Sequence, residues 1–167
     1  MANVLTNTGF EVDLAAWNKI RNTETFTRDT SEFHGGVASG KVVTPGVQTE
    51  EGIDQVVTTT VNSSDPVVAK AWMKGTGSFS LRATTRDPIG LYQDIGAWTP
   101  VTLTSSWQQV TATVDATSDA VGVSIELSTG ASIAAVTVYL DDLELNTPDI
   151  GGGGGGGYRD VTTVRAG

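Results

Sequence analysis

The fold is decided by three successive segments, WQQVTATVD at 107–115, AVGVSIELS at 120–128 and AAVTVYLDDLEL at 134–145. In each segment, apolar residues alternate with polar ones, which is the period-two pattern of a strand with one buried face. The connecting stretches DATSD and STGAS are rich in the small and polar residues that form tight turns. This region therefore predicts short strands joined by turns.

The same pattern extends toward the N-terminus. Further alternating segments are QVVTTTV at 55–61, VVAKAWMK at 67–74 and SFSLRATT at 78–85, and they are separated by NSSDP, KGTG and RDPIG. Short strands at this spacing favour an all-β antiparallel sandwich or barrel. Only LAAWNKI at 14–20 predicts a helical turn.

Four motifs carry a family resemblance: NVLTNTGFE at 3–11, WMKG at 72–75, TSSWQQVTATV at 104–114 and VYLDDLEL at 138–145. In this order and spacing they resemble the carbohydrate-binding-module-like β-sandwich family, the galactose-binding-type jelly rolls appended to many glycan-degrading enzymes. The resemblance spans residues 3–146 and implies an antiparallel jelly-roll sandwich. It does not fix function, because such sandwiches also serve as receptor-binding and structural modules.

The alternating pattern stops at Asn146, so residues 1–146 are predicted to be the sandwich domain and 147–167 a glycine-rich linker with a C-terminal arm. Seven glycines at 151–157 favour a flexible linker. The final YRDVTTVRAG has an aromatic anchor, two arginines and a β-prone VTTV, which suits an arm that adds a strand or docks in a partner's groove. A plain tail is the alternative. The predicted docking residues are Tyr158, Arg159, Val161, Val164 and Arg165.

Composition limits the partners. The 167 residues include ten Lys and Arg against nineteen Asp and Glu, and the formal net charge is −9. The basic residues are scattered singly, whereas a phosphate-binding surface needs them clustered, so nucleic acid and anionic membranes are poor partners. Cysteine is absent, and the start MANVLTN lacks the features of a secretion signal. We therefore expect synthesis in the cytosol.

Catalysis has little support. The single histidine, His34, lies before two glycines and is typical of a turn, and there is no nucleophile elbow or phosphate loop. Glycoside hydrolysis needs two acids facing a sugar. The adjacent pairs Glu50 with Glu51 and Asp141 with Asp142 are unsuitable, because neighbours on a strand point to opposite faces. We predict no catalytic residues.

The acids suit a hard cation better, since calcium takes carboxylate and carbonyl oxygens. In the resembled family, a structural calcium often lies between the N-terminal GFE segment and the acidic pair of the last strand. That likeness implies one Ca²⁺ held by Gly9, Glu11 and Asp141 or Asp142, with carbonyls from residues 39–41. The alternatives are ordinary polar edges, or a lost metal replaced by hydrogen bonds.

Exposed rings decide whether sugar binds, because pyranose faces stack on them. Trp17, Trp72 and Trp107 lie in contexts that predict core packing. The stretch RDPIGLYQDIGAWTP is rich in glycine and proline and departs from clean alternation. Within it, a glycan platform is predicted, with a protein interface as the alternative. Its residues are Tyr92, Gln93, Asp94 and Trp98.

Three functions follow. The first, preferred here, is a non-catalytic bacteriophage virion protein, either a capsid decoration or a tail protein. It would dock on other virion proteins through the C-terminal arm and form a homo-oligomer or symmetric array. The second is a carbohydrate-binding module of an extracellular polysaccharide-degrading enzyme. The third is a hydrolase in its own right.

Overall fold

A computed structural model describes residues 1–148, and over this range the chain forms twelve strands and no helix. No segment of this range is therefore a helix that could cross a membrane. The strands are β1 (Ala2–Asn3), β2 (Asn18–Lys19), β3 (Thr25–Asp29), β4 (Ser39–Pro45), β5 (Gly52–Val61), β6 (Pro66–Thr76), β7 (Ser78–Arg86), β8 (Tyr92–Ile95), β9 (Thr99–Thr102), β10 (Gln108–Asp115), β11 (Ala120–Ser128) and β12 (Ala135–Thr147).

The strands form two antiparallel sheets. The first sheet has the order β10-β6-β12-β4-β3, with β1 paired to β12. The second sheet has the order β2-β5-β11-β7-β8, with β9 paired to β7. The predicted all-β sandwich is confirmed. The neighbours in each sheet are mostly distant in sequence, so residues from separate segments meet on one face.

Alternation along β6 shows how the core is built. Val67, Ala69, Ala71 and Met73 are fully buried, while the residues between them are only partly buried. β12 extends this apolar face within the same sheet, and β7 and β11 of the second sheet supply the facing apolar residues, so the core lies between the two sheets. Its largest fully buried apolar side chains are Phe10, Phe79, Ile53, Met73, Leu81, Ile125, Leu127, Leu140, Leu143 and Leu145.

The helical turn predicted for residues 14–20 is wrong. This segment makes a turn and then enters β2, and Ala16 has a positive φ of 72°, which ends any right-handed helix. Trp17 is buried, packs against Phe10 with ring centroids 5.6 Å apart, and donates from Nε1 to the Asn7 carbonyl at 3.0 Å. Burial of one large ring outweighs the local helical preference.

The prediction of core packing holds for Trp17 but is wrong for Trp72 and Trp107. Because Ala71 and Met73 point inward, Trp72 must point outward from β6. On that outer face, the imidazole of His34 stacks on Trp72 at 3.9 Å and meets Trp107 edge-on at 5.7 Å. Both tryptophans are partly exposed.

A bulge in β12 shapes one end of the domain. The register with β6 shifts between Asp141 and Glu144, and Asp142 has a positive φ of 45°. As a result Leu140 and Leu143, which would point to opposite sides of a regular strand, are both fully buried. The Leu143 amide donates to the Thr8 carbonyl at 3.0 Å, so the N-terminal segment lies along the last strand.

Close approach of β5 and β11 requires a glycine at position 52. A Cβ there would lie 1.9 Å from the Leu127 carbonyl oxygen and 2.6 Å from the Ser128 Cα. We predict that Gly52→Ala lowers the free energy of unfolding by about 3 kcal/mol, because main-chain atoms cannot move aside as a flexible side chain can. Urea unfolding measures the loss.

Gly90→Ala is the matched control. Gly90 has a positive φ of 84° but nothing within 4 Å of the added methyl group, so only the backbone cost of about 1 kcal/mol applies. Equal losses in the two variants would contradict the close strand packing.

Candidate functional site

The outer face of the second sheet gathers polar and aromatic side chains from four strands. Glu126 on β11 lies directly opposite Arg82 on β7 and Asp54 on β5. Tyr92 on β8 lies opposite Arg86. We call Arg82, Arg86, Tyr92 and Trp98 the arginine–aromatic layer, because these four side chains lie side by side on this face.

Glu126 is the centre of this face, although only 2% of the residue is exposed. One carboxylate oxygen accepts a hydrogen bond from Arg82 Nε at 2.7 Å, and the other accepts one from the Tyr92 hydroxyl at 2.6 Å. Arg82 Nη2 lies 2.5 Å from Glu126 Oε2, and Arg86 Nη2 lies 3.7 Å from Glu126 Oε1. A buried carboxylate is stable only with such partners, so the network fixes both arginines and the tyrosine.

The arginines in turn hold the rings. The Arg82 guanidinium carbon lies 4.0 Å from the Trp98 ring centroid, and that of Arg86 lies 3.8 Å from the Tyr92 centroid. These are cation–π distances. Tyr92 is nevertheless 44% exposed. The pKa of the Tyr92 hydroxyl is raised, first by burial and then by its hydrogen bond to Glu126. The phenol is therefore neutral and donates.

The network of charged side chains extends from Arg82 toward the β4–β5 loop. Arg82 also lies 3.6 Å from a Glu50 oxygen, and Glu50 pairs with Arg21. On this face the arginines and glutamates therefore alternate and neutralise one another. The result is a polar surface without a net excess of positive charge.

The four residues predicted from the glycine- and proline-rich stretch separate into two groups. Tyr92 and Trp98 both lie in the arginine–aromatic layer. Gln93 donates to the Ser118 carbonyl at 2.8 Å, and Asp94 accepts from the Thr117 and Thr85 hydroxyls at 2.6 and 2.7 Å. Burial acts to raise the pKa of Asp94, but these hydrogen bonds outweigh it and lower the pKa. Gln93 and Asp94 therefore hold β8 to the 116–118 loop.

Sequence reasoning missed Arg82, Arg86, Glu126 and Asp54. The sequence does show polar residues at the outward positions of β5, β7 and β11. That pattern is also typical of an ordinary solvent-exposed sheet face, so it does not single these residues out. Only the strand order brings them together, and the local pattern does not contain that order.

Asp54 is the second carboxyl of this face. Its pKa is raised, first by burial and then by the adjacent charge of Glu126, while the Asn18 side chain and Arg86 oppose the shift. Two carboxylates directly opposite each other repel. Burial and this repulsion both favour the protonated form of the Asp54 carboxyl.

The residues predicted to hold calcium lie at the β12 bulge. Glu11 Oε1 and Asp141 Oδ1 lie 3.3 and 3.4 Å from the point where a Cβ on Gly9 would stand. Asp141 Oδ2 accepts from the His34 and Gly35 amides at 2.7 and 3.0 Å. The pKa of Asp141 is raised by burial, which these hydrogen bonds partly offset.

Asp142 points elsewhere, toward His34 Nδ1 at 2.7 Å. Within residues 1–148, no cluster of three or more Asp, Glu, His or Cys side chains is arranged to hold a metal. The structure therefore brings Gly9, Glu11 and Asp141 together and separates Asp142 from them. The predicted docking residues 158–165 lie outside the described residues.

The sequence matches the family described as "Carbohydrate binding domain" over residues 2–136. The chain belongs to this family. The resemblance seen in the four sequence motifs is thereby confirmed. No curated protein matches the chain.

Solved structures share the fold of this carbohydrate-binding domain. The CBM22-1 xylan-binding domain of Paenibacillus barcinonensis Xyn10C is 17% identical with a TM-score of 0.64, covering 87% of this chain and 94% of that one. The CBM22-1–GH10 modules of Clostridium thermocellum Xyn10B, complexed with xylohexaose, are 16% identical with a TM-score of 0.67, covering 87% and 28%. The enzymatically active domain of bacteriophage CBA120 tailspike protein 4 is 11% identical with a TM-score of 0.67, covering 87% and 21%. At these identities, the likeness shows the fold alone.

We predict that Asp54→Asn raises the thermal unfolding midpoint at neutral pH. The pKa of Asp54 in the folded domain lies above its ordinary value of 3.8, so folding favours the protonated carboxyl. The stability that this group contributes is complete below the unfolded pKa and is lost as pH rises through the raised folded pKa. Asparagine cannot ionise, so the gain should be largest near pH 7 and vanish near pH 4.

Asp115→Asn is the control, because it removes the same formal charge from an exposed position on the other sheet. Thermal unfolding across this pH range compares the variants. A gain that is the same at every pH, or the same in both variants, would contradict the assignment to the Glu126 neighbourhood.

Proposed function

We propose that the chain is a non-catalytic glycan-binding module that binds a neutral polysaccharide on the outer face of the second sheet. Membership of the carbohydrate-binding domain family supports this reading. The structural neighbours include xylan-binding domains, so xylan is the first ligand to test.

The observation that carries the proposal is the arginine–aromatic layer. Tyr92 and Trp98 are held on one face by arginines that are themselves fixed by Glu126. Rings that are already ordered lose little entropy when a sugar stacks on them. The guanidinium groups, Asp54 and Asn18 offer hydrogen-bonding groups beside the rings for sugar hydroxyls.

The charge distribution on this face favours a neutral ligand over an acidic one. The arginines of this face are paired with Glu126 and Glu50, and the whole chain carries a net charge of −9. An acidic polysaccharide would meet overall repulsion without a free cation to bind. A neutral chain would exchange hydrogen bonds with water for hydrogen bonds with the layer.

We predict that Trp98→Ala and Tyr92→Ala each abolish retardation of the protein in affinity gels with soluble xylan or β-glucan. Each change removes a stacking ring whose contribution of about 1.5 kcal/mol corresponds to roughly tenfold in affinity. Trp107→Ala is the matched control, since Trp107 lies by the outer face of the other sheet, against His34. Retardation that survives loss of both rings, or that Trp107→Ala abolishes, would place the site elsewhere.

We also propose a structural calcium at the β12 bulge. Glu11 Oε1 and Asp141 Oδ1 both lie beside Gly9, and oxygen donors suit Ca²⁺. Gly9 would add a carbonyl, and water or further carbonyls would complete the six to eight ligands that calcium takes. The ion would tie the N-terminal segment to the last strand.

Calcium is predicted to raise the unfolding midpoint of chelator-treated protein, because it binds only the folded state. The free energy of unfolding should increase by about 2.7 kcal/mol when the free calcium concentration is a hundred times the Kd of the site. Glu11→Gln should reduce this increment while leaving the fold intact, since Glu11 is exposed. Thermal unfolding with and without calcium measures it, after metal analysis has shown that the ion was removed. An unchanged increment in Glu11→Gln would contradict this site.

The second candidate function is a bacteriophage virion component located in the particle, as a capsid decoration or tail protein. It is favoured by the composition of residues 147–167, which joins a glycine run to a short segment with Tyr158, two arginines and VTTV. In this proposal the segment docks on a neighbouring subunit or virion protein, and the sandwich is displayed in a symmetric array.

Removal of residues 149–167 is predicted to leave the sandwich folded, because β12 ends at Thr147. If the segment assembles copies of the chain, the full chain should have the native mass of a symmetric oligomer and the truncated chain that of a monomer. Tyr158→Ala together with Arg159→Ala should reproduce part of the loss. Native mass spectrometry decides the question, and an oligomer that survives truncation would contradict docking through this arm.

A further inference from the structure

Two carboxylates lie between the sheets at the end of the sandwich away from the β12 bulge. Glu24 and Glu51 are only 1% and 0% exposed. Glu24 directly precedes β3 of the first sheet, and Glu51 directly precedes β5 of the second. Burial of a carboxylate is costly unless the charge is paired or bound to a metal.

The two carboxylates share a hydrogen-bonding partner. The Thr23 hydroxyl lies 2.7 Å from Glu51 Oε1 and 3.4 Å from Glu24 Oε2. Main-chain amides provide the other donors: Gly46 to Glu51 Oε2 at 2.9 Å, Val47 to Glu51 Oε1 at 3.4 Å and Arg21 to Glu24 Oε1 at 3.2 Å. Both groups are therefore held close together with oxygen lone pairs still available.

The charge of this pair is not matched by a basic side chain. Among residues 1–148, the ion pairs involve other acids, and neither Glu24 nor Glu51 takes part in one. The Lys19 ammonium donates to the main-chain carbonyl of Glu24, at 3.3 Å, and not to its carboxylate. Two carboxyl groups thus share an interior site without a basic partner among the described residues.

An independent observation comes from Thr129, which is only 3% exposed and whose hydroxyl oxygen has no hydrogen-bond partner. Its amide donates to the Glu51 carbonyl at 3.0 Å, which continues the pairing of Ser128 with Gly52 by one residue. Residues directly opposite each other point to the same side of a sheet. The unpartnered hydroxyl therefore faces the side on which the Glu51 carboxylate lies.

We propose that Glu24, Glu51 and Thr129 form an internal binding site for one Ca²⁺ ion. All the side-chain donors are oxygens, which suits a hard cation, and a buried site favours calcium over magnesium because magnesium retains its waters. A divalent ion balances the two carboxylates and satisfies the Thr129 hydroxyl.

This site is separate from the one proposed at the bulge. β4 runs from Ser39, beside the loop that binds Glu11 and Asp141, to Pro45, beside Gly46. A strand of this length spans roughly 20 Å.

The test is calcium titration of the chelator-treated full chain, followed by calorimetry, in the Glu11→Gln background, which weakens the bulge site. One ion should still bind. Thr129→Val should weaken that binding by about tenfold, and Glu51→Gln should abolish it. Glu50→Gln is the matched control, because the adjacent Glu50 pairs with arginines outside the cluster and should leave calcium affinity unchanged.

Thr129→Val also separates metal binding from folding. Valine matches threonine in shape, and removal of an unpartnered buried hydroxyl leaves the calcium-free protein equally or more stable. Its unfolding midpoint without calcium should therefore equal or exceed that of the parent, while its calcium-induced rise should shrink. Absence of any bound ion in the Glu11→Gln background would overturn the proposal. So would an ion whose affinity neither Thr129→Val nor Glu51→Gln changes.

Discussion

The carboxylate of Glu126 is the group on which the outer face of the second sheet depends. It is buried, yet it lies on the side of the sheet that faces away from the core. Arg82, Arg86 and the Tyr92 hydroxyl compensate its charge, and the same two arginines lie against Tyr92 and Trp98. Without the carboxylate, two largely buried guanidinium groups would lose their counter-charge, and the rings would lose their support.

In the proposed function, stability and recognition depend on different sets of residues. The core between the sheets consists of apolar side chains from alternate strand positions. The opposite positions of β5, β7 and β11 are free of that packing requirement and carry mostly charged and hydroxyl groups. The sandwich thus supplies a rigid base for the arginine–aromatic layer, which is the proposed glycan-binding surface. The ends of the sandwich contain the buried acids, where loops from both sheets approach each other.

Much of the fold could be predicted because alternation is a local property. The segments around Val68, Arg82 and Val123 each carry it, and each is a strand. Tyr92 and Trp98 were found because they lie beside glycines and prolines that interrupt the pattern. The helical turn at residues 14–20 was wrong because the propensity of two alanines and a leucine competes poorly with burial of Trp17.

The rest of the site could not be predicted because it depends on pairing between distant strands. Glu126 lies 44 residues from Arg82 in sequence, yet their side chains form a hydrogen bond. The sequence alone does not show which strands are neighbours, so it does not indicate that these two side chains are in contact. Likewise, Thr129 and Glu51 look unremarkable in sequence, and only the register of β5 with β11 places them together.

The most direct measurement is nuclear magnetic resonance of the four tryptophan indole groups during titration with soluble neutral oligosaccharides, beginning with xylohexaose. If the arginine–aromatic layer binds glycan, the Trp98 indole signal should shift with saturating dependence on ligand. The signals of Trp17, in the core, and of Trp72 and Trp107, beside His34, should stay in place. Shifts confined to Trp72 and Trp107, or the absence of any shift with every oligosaccharide in the series, would contradict the assignment of this face as the glycan-binding site.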